Sequence, residues 1–150
     1  MPRSPEEIAK QFVGTWRLVS AVQTLADGTT RPNPVYGPGG VGYIIYGDSG
    51  RVCVVNINPS RPQWKNESSP TEAEVRSAVH GMIAYAGSYE VNHEQGTVIH
   101  HIEVDAIPNR VGTHQKRFFI FSGNRLILRP EPPLPKGVVD YAITWERVEG

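Results

Sequence analysis

Several kinds of residue and segment are scarce in this sequence, and their scarcity excludes some structures and cellular locations. Cys53 is the single cysteine of the 150-residue chain, so an intramolecular disulfide is excluded and a reducing compartment is favoured. The N-terminal residues contain no apolar run of signal-peptide length, and no segment has the length and hydrophobicity of a transmembrane helix. We therefore expect a cytoplasmic protein that does not associate with membranes.

An excess of charge of one sign is also absent. The 15 Lys and Arg residues balance the 15 Asp and Glu residues, whereas a nucleic-acid-binding protein usually carries a basic surface. The glycine-rich segment Gly37-Pro38-Gly39-Gly40 lacks the lysine and the following helix of a phosphate-binding loop. We expect a small molecule as the partner, no nucleic acid and no cofactor, and the sequence leaves the oligomeric state open.

The apolar residues alternate with period two along most of the chain. Eight strands joined mostly by turns are predicted over residues 14–22, 42–46, 51–57, 83–92, 97–105, 113–121, 125–129 and 138–148. Residues 29–42 contain too many prolines and glycines for a central strand and are predicted to form a loop. This pattern favours an all-β fold, an eight-stranded antiparallel up-and-down barrel with room for one small ligand.

One helix is predicted within this series of strands, over residues 70–81. Ser69 would cap it, Pro70 would occupy its first position, and Glu72 would complete a capping box. Residues 1–12 are predicted to form an N-terminal arm of one or two amphipathic turns, because Ile8 and Phe12 are four residues apart. The whole chain, residues 1–150, is expected to form a single domain.

His100 stands in the middle of an alternating apolar stretch. The more apolar face, which we expect to point into the barrel, consists of Val98, His100, Ile102 and Val104. In the opposite phase, the interior would be lined by Ile99, His101 and Glu103. Neighbouring residues of a strand point to opposite faces, so His100 and His101 cannot jointly bind a metal ion, and we expect no metal site.

The neighbouring strands supply candidate partners for His100. Tyr85 and Tyr89 are predicted to point inward on the strand over residues 83–92. On the strand over 113–121, two phases are open: Gln115, Arg117 and Phe119 either line the cavity or lie on a solvated face. An inward Arg117 would require an anion, a carboxylate or several carbonyls, because an unpaired buried guanidinium is costly.

Residues outside these strands complete the set of candidates. Asn109 and Arg110, on the turn after Pro108, either close the mouth of the cavity or cap the turn, and Tyr43 is a further candidate for its rim. Trp16 and Arg147 are assigned to the structure, with the guanidinium stacked on the indole.

Several motifs resemble those of the lipocalin-like domain family of bacteria and fungi. Gly14-x-Trp16 and Trp145-Glu146-Arg147 are similar to the calycin pattern, in which a late basic residue covers an N-terminal tryptophan. The other matching strings are His100-His101-Ile102-Glu103, Pro108-Asn109, Val111-Gly112-Thr113, Gly42-Tyr43-Ile44-Ile45-Tyr46 and Tyr85-x-Gly87-x-Tyr89-Glu90-Val91. The resemblance covers about residues 12–148 and implies a lipocalin-like barrel. The cysteine pair of secreted lipocalins is missing, and we expect no signal peptide.

Two functions are compatible with these features. The first is the binding of an apolar or aromatic small molecule, with or without a carbonyl or carboxylate group, oriented by His100, Tyr85, Tyr89 and Arg117. The second is a cofactor-free isomerase, dehydratase or cyclase in the same cavity. In that case His100 would be the general acid or base, and Tyr85 or Arg117 would stabilise a developing oxyanion.

Overall fold

The computed structural model describes residues 3–149 of the chain. Its helices are α1 (Pro5–Phe12), α2 (Glu72–His80) and a 3-10 turn (Pro108–Arg110). Its strands are β1 (Gly14–Leu25), β2 (Thr30–Pro32), β3 (Val41–Tyr46), β4 (Arg51–Ile57), β5 (Met82–Asn92), β6 (Thr97–Asp105), β7 (His114–Ser122), β8 (Arg125–Pro130) and β9 (Val138–Arg147). Among these residues, neither α-helix has the length and hydrophobicity needed to cross a bilayer.

The strands form a closed antiparallel barrel. β1 and β3 to β9 pair in sequence order, and β9 pairs back onto β1 from Leu25↔Val138 to Trp16↔Arg147. The predicted eight-stranded barrel is therefore confirmed. The loop predicted over residues 29–42 is wrong in part, because β2 pairs with the second half of β1. This three-residue strand tolerates Pro32 because it lies at an edge, where a missing N–H breaks no ladder.

Helix α2 begins two residues later than predicted. Thr71 is the N-cap, with its Oγ1 accepting from the Glu74 N–H at 3.1 Å while the Glu74 carboxylate accepts from the Thr71 N–H at 2.9 Å. The predicted capping box, Ser69-x-x-Glu72, has the same spacing, but contacts from the preceding loop favour the capping box formed by Thr71 and Glu74. The Lys65 N–H donates to the Glu74 carboxylate at 2.9 Å, and the Trp64 indole donates to the Glu74 carbonyl oxygen at 3.2 Å. The backbone N–H groups of Thr71 and Lys65, which donate to the carboxylate, lower the pKa of Glu74.

Helix α1 seals one end of the barrel. Phe12 is fully buried, and its ring meets those of Tyr46, Phe119 and Phe121 edge to face at centroid distances of 4.9–5.2 Å. The Trp16 indole donates to the Phe12 carbonyl oxygen at 2.8 Å. The predicted stacking is present, with the Arg147 guanidinium 4.2 Å from the centre of the Trp16 ring. Phe119 thus packs against α1.

A bulge in β6 reverses the phase of its last residues. Ala86 pairs with Val104 whereas Gly87 pairs with Ile102, so Glu103 is the extra residue. Val104 is consequently 60% exposed, and its predicted inward position is wrong. Gly87 permits the close approach of the strands, because a Cβ there would lie 1.8 Å from the His101 carbonyl oxygen.

The closed end makes Gly14 hard to replace. Its φ of +136° disfavours any other residue, and a Cβ would lie 2.6 Å from Nη1 of Arg147. Gly28 is a matched control, since its φ is +87° but nothing lies within 4 Å of its Cβ position. We predict that Gly14→Ala lowers the free energy of unfolding by at least about 1 kcal/mol more than Gly28→Ala. Urea denaturation measures both, and equal losses would contradict the proposed role of Arg147.

Candidate functional site

A cavity of about 370 Å³ lies inside the barrel. Its walls come from alternate residues of the strands and from the loops between β2 and β3, β6 and β7, and β8 and β9. The apolar and aromatic wall residues are Pro34, Val35, Ile44, Val54, Ile83, Leu128, Pro135, Ile143, Tyr36, Tyr85, Tyr141 and Trp145. The polar residues are Gln23, Arg31, Asn33, Asn56, His100, Arg110, Gln115 and Arg117. α1 contributes none of them, so the cavity belongs to the end that α1 does not fill.

His100 is buried between two tyrosine hydroxyl groups. The Tyr46 hydroxyl lies 2.7 Å from Nε2 of His100 and the Tyr85 hydroxyl lies 2.6 Å from Nδ1. The side chain is only 1% exposed. Burial, with smaller contributions from the charges of Arg117 and His101, lowers the pKa of His100 to about 3. Burial also raises the pKa values of Tyr46 and Tyr85 above the ordinary value for tyrosine. All three side chains are therefore neutral near neutral pH.

The surroundings of this group favour one tautomer of His100. A neutral imidazole has one N–H donor and one acceptor nitrogen. Among the described residues, the Tyr46 hydroxyl contacts only Nε2 of His100, so a proton on Nε2 would leave the buried Tyr46 O–H without an acceptor. With the proton on Nδ1, Tyr46 donates to Nε2 and Nδ1–H donates to Tyr85. The Tyr85 O–H can then donate into the cavity, where its closest acceptor is Oε1 of Gln115 at 3.5 Å.

Gln115 and Arg117 face the cavity, as one of the two predicted phases of β7 requires. Both are half-buried lining residues. Nη2 of Arg117 donates to Oε1 of Gln115 at 2.7 Å, and Nη1 donates to the Lys116 carbonyl oxygen at 3.3 Å. Gln115 thus links the guanidinium to the Tyr85 hydroxyl, and the two predicted residues meet next to His100.

Two polar atoms at the cavity have no hydrogen-bond partner among residues 3–149. They are the indole Nε1 of Trp145 and Oδ1 of Asn56, and the two residues are only 3% and 2% exposed. The Asn56 amide nitrogen donates to the Tyr36 hydroxyl at 3.2 Å. Sequence reasoning missed both residues, although Asn56 interrupts the buried apolar face of Val52 and Val54 on β4.

The other predicted site residues lie outside the cavity. Tyr43 is 49% exposed on the outer face of β3, and Asn109 is exposed on the 3-10 turn. The Tyr89 hydroxyl donates to the Gly47 carbonyl oxygen at 2.8 Å. Val98 and Ile102 are buried in the core without lining the cavity. Phe119 is likewise occupied by its contact with Phe12.

The adjacent residues His100 and His101 have different surroundings, as predicted when His100 was assigned to the inward face of its strand. His101 is exposed on the outer surface, where its Nε2 lies 3.0 Å from the Glu90 carboxylate. Within the described part of the chain, no group of three or more His, Cys, Asp and Glu side chains is placed to bind a metal ion.

Comparisons with known proteins agree with the barrel fold. The family model described as a lipocalin-like domain matches residues 13–148. A curated relative from Aspergillus oryzae, the 4'-hydroxy-3'-methoxypropiophenone carrier protein ppsC, is 28% identical over 102 residues. The alignment covers 61% of this chain and 92% of the relative.

The lowered pKa of His100 predicts a specific dependence of stability on pH. In the unfolded chain His100 has its ordinary pKa of 6.5, whereas in the folded protein its pKa is about 3. The unfolded chain therefore binds a proton at His100 more readily than the folded protein does. The stability that the neutral His100 contributes is complete above pH 6.5 and is lost as the pH falls from 6.5 towards about 3. We predict that between about pH 7 and about pH 5 the wild type loses about 2 kcal/mol more stability than His100→Gln.

Chemical denaturation of both proteins at several pH values measures this difference. The four other histidines are unchanged in the variant and serve as the internal control. Parallel curves for the two proteins would show that His100 is accessible to protons in the folded state.

Proposed function

This chain belongs to the lipocalin-like domain family, and we propose from that premise that it binds a small aromatic molecule in the barrel cavity. The cavity of about 370 Å³ lies at the small end of the range of about 300–1,000 Å³ that is usual for ligand pockets. Apolar walls with a few convergent polar groups are the usual composition of such pockets. A ligand of one ring with short substituents suits this volume.

The observation that carries the proposal is the set of buried polar atoms that the fold leaves for a ligand. Buried polar groups normally have hydrogen-bond partners. Here the Trp145 indole N–H and the Asn56 carbonyl oxygen have none among the described residues, and the Tyr85 hydroxyl has only a long contact of 3.5 Å to an acceptor, Gln115. A ligand with an acceptor and a donor on opposite sides of a ring would satisfy these groups.

The relative from Aspergillus oryzae supports an oxygenated aromatic ligand. The compound in its name is an aryl ketone with a hydroxyl and a methoxy group on the ring. We propose that the carbonyl oxygen of such a ligand accepts from the Tyr85 hydroxyl. The ring hydroxyl would contact Asn56 and Trp145, with the ring between apolar side chains such as Ile44 and Leu128. The role would be that of a binding or carrier protein.

Catalysis in the same cavity is the alternative proposal. The contact between His100 and Tyr85 would let a proton move from Tyr85 to a ligand while the Nδ1–H of the neutral imidazole donates a hydrogen bond to the tyrosinate oxygen that remains. His100 itself would not be the group that meets the ligand, because both of its nitrogens already contact tyrosine hydroxyls. The low pKa of His100, about 3, makes the imidazole a weak base, which favours binding over catalysis.

The donor role of Tyr85 is tested by deleting its hydroxyl. We predict that wild-type protein binds 4'-hydroxy-3'-methoxypropiophenone and that Tyr85→Phe weakens this binding by about tenfold, the loss expected for one hydrogen bond. Tyr43→Phe is the matched control, because Tyr43 lies on the outer surface, and it should bind like the wild type. Isothermal titration calorimetry measures all three. Equal affinities for the wild type and Tyr85→Phe would refute the role of Tyr85.

Binding and catalysis are separated with His100→Gln. Glutamine can also accept from one tyrosine and donate to the other, so we predict that this variant binds the ketone within about tenfold of the wild type. We further predict that the ketone is recovered unchanged from both proteins by liquid chromatography and mass spectrometry. A product formed by the wild type but not by His100→Gln would instead establish the enzyme.

A further inference from the structure

The positive charges around the cavity are not balanced by acidic residues. Arg31, Arg110 and Arg117 line it, and no Asp or Glu within residues 3–149 does. This asymmetry occurs in a chain whose formal net charge is zero. Arg31 is exposed, with its Nε donating to Oε1 of Gln23 at 2.9 Å, whereas Arg110 and Arg117 are half-buried. The interior of the barrel is therefore more positive than the protein as a whole.

Three acidic residues pair with other arginines, on the outer surface. Arg17 pairs with Glu146, and Arg129 pairs with Asp140. Arg51 pairs with Glu103 in the same way. By contrast, neither Arg110 nor Arg117 forms an ion pair with a carboxylate of the described residues.

The acceptors of Arg117 are all neutral, namely Gln115 and the Lys116 backbone. A half-buried guanidinium with five N–H donors is incompletely satisfied by two neutral oxygens. Its planar fork matches the two oxygens of a carboxylate.

The charges of these arginines act on the cavity wall. Burial raises the pKa of Tyr36 to about 12, and the charges of Arg117 and Arg110 oppose this rise. Burial likewise raises the pKa of Tyr85, and again both arginines oppose it. An opposing charge is that of Asp105, which also raises the pKa of Tyr85. Asp105 accepts from the Ile107 N–H at 2.7 Å and does not line the cavity, so it reduces the positive field without blocking Arg117.

We infer that the ligand of this cavity is an aromatic carboxylate, held by Arg117 with Arg110 beside it and with its ring against the apolar wall. This inference rests on the proposed function, since it names the chemical class of the molecule bound at the same site. The carboxylate takes the place that a carboxylate side chain occupies beside the arginines of the outer surface. The ligand should carry one carboxylate, because the half-buried guanidinium of Arg117 and the apolar walls offer too little compensation for a dianion.

A pair of probes with the same ring and chain, one charged and one neutral, tests the inference. Dihydroferulate carries a hydroxy-methoxyphenyl ring on a short chain that ends in a carboxylate, and its methyl ester has the same ring without the charge. By isothermal titration calorimetry near neutral pH, the wild type should bind the acid at least about tenfold more tightly than the ester, as expected for charge-assisted hydrogen bonds. Arg117→Gln should abolish this preference while leaving the ester within about threefold of its wild-type affinity.

Two further variants control for folding and for binding elsewhere. Arg51→Gln removes an arginine of the outer surface and should keep the full preference for the acid. Arg110→Gln, on the 3-10 turn, should reduce it, and this variant decides the matter if Arg117→Gln does not fold.

The outcomes distinguish the two proposals. Wild-type protein that binds the ester or the propiophenone as tightly as the acid would overturn the carboxylate inference while the proposed function stands. An acid preference that survives in both Arg117→Gln and Arg110→Gln would overturn the assignment to these arginines. Failure of the acid, the ester and the ketone to bind would overturn the proposed function, and the inference with it.

Discussion

The pairing of β1 with β9 joins the first strand of the chain to the last and determines what the interior can contain. Its register runs from Leu25↔Val138 to Trp16↔Arg147, with two irregularities. Closure gives each of the eight barrel strands, β1 and β3 to β9, two neighbours, so half of the residues of each of them must face a common interior. At the end of this ladder, Arg147 covers Trp16 and donates to the Val13 carbonyl oxygen at 2.9 Å. The same residues that close the sheet thereby fix α1 across one end.

Because one end is closed by α1, the interior divides into two parts. The part next to α1 is filled by aromatic rings around Phe12, while the part bounded by the loops is the cavity. Tyr46 contacts Phe12 on one side and His100 on the other, and His100 contacts Tyr85 at the cavity. A buried hydrogen-bonded group of this kind holds each member in one orientation. The packing of α1 is thus linked to the orientation of the hydroxyl that faces the cavity.

Period-two alternation predicted the strands and the inward positions of His100 and Tyr85, because these depend only on strand geometry. For Gln115 and Arg117 it left two phases open, of which the inward one is found. It could not predict where the alternation is interrupted. The bulge at Glu103 turns Val104 outward, and it depends on the register between β5 and β6. The alternation also did not show that the interior is divided into a packed part and a cavity. Phe119 has the inward phase, but it packs against Phe12 of α1 and does not line the cavity. Trp145 and Asn56 were missed because their missing partners are a property of the assembled barrel.

The amino-acid composition also did not show how positive and negative charges are distributed between the cavity and the outer surface. A net charge of zero argued against a nucleic-acid partner, but it carries no information about which arginines meet which acids. In the folded chain Arg17 and Arg129 meet acidic residues outside, whereas Arg117 meets only neutral acceptors inside. A polar group that the fold leaves incompletely satisfied lowers stability, and it raises affinity for a complementary ligand because the ligand supplies the missing bond. In this barrel, the polar groups that the fold leaves incompletely satisfied at the cavity are therefore the ones best placed to determine what it binds.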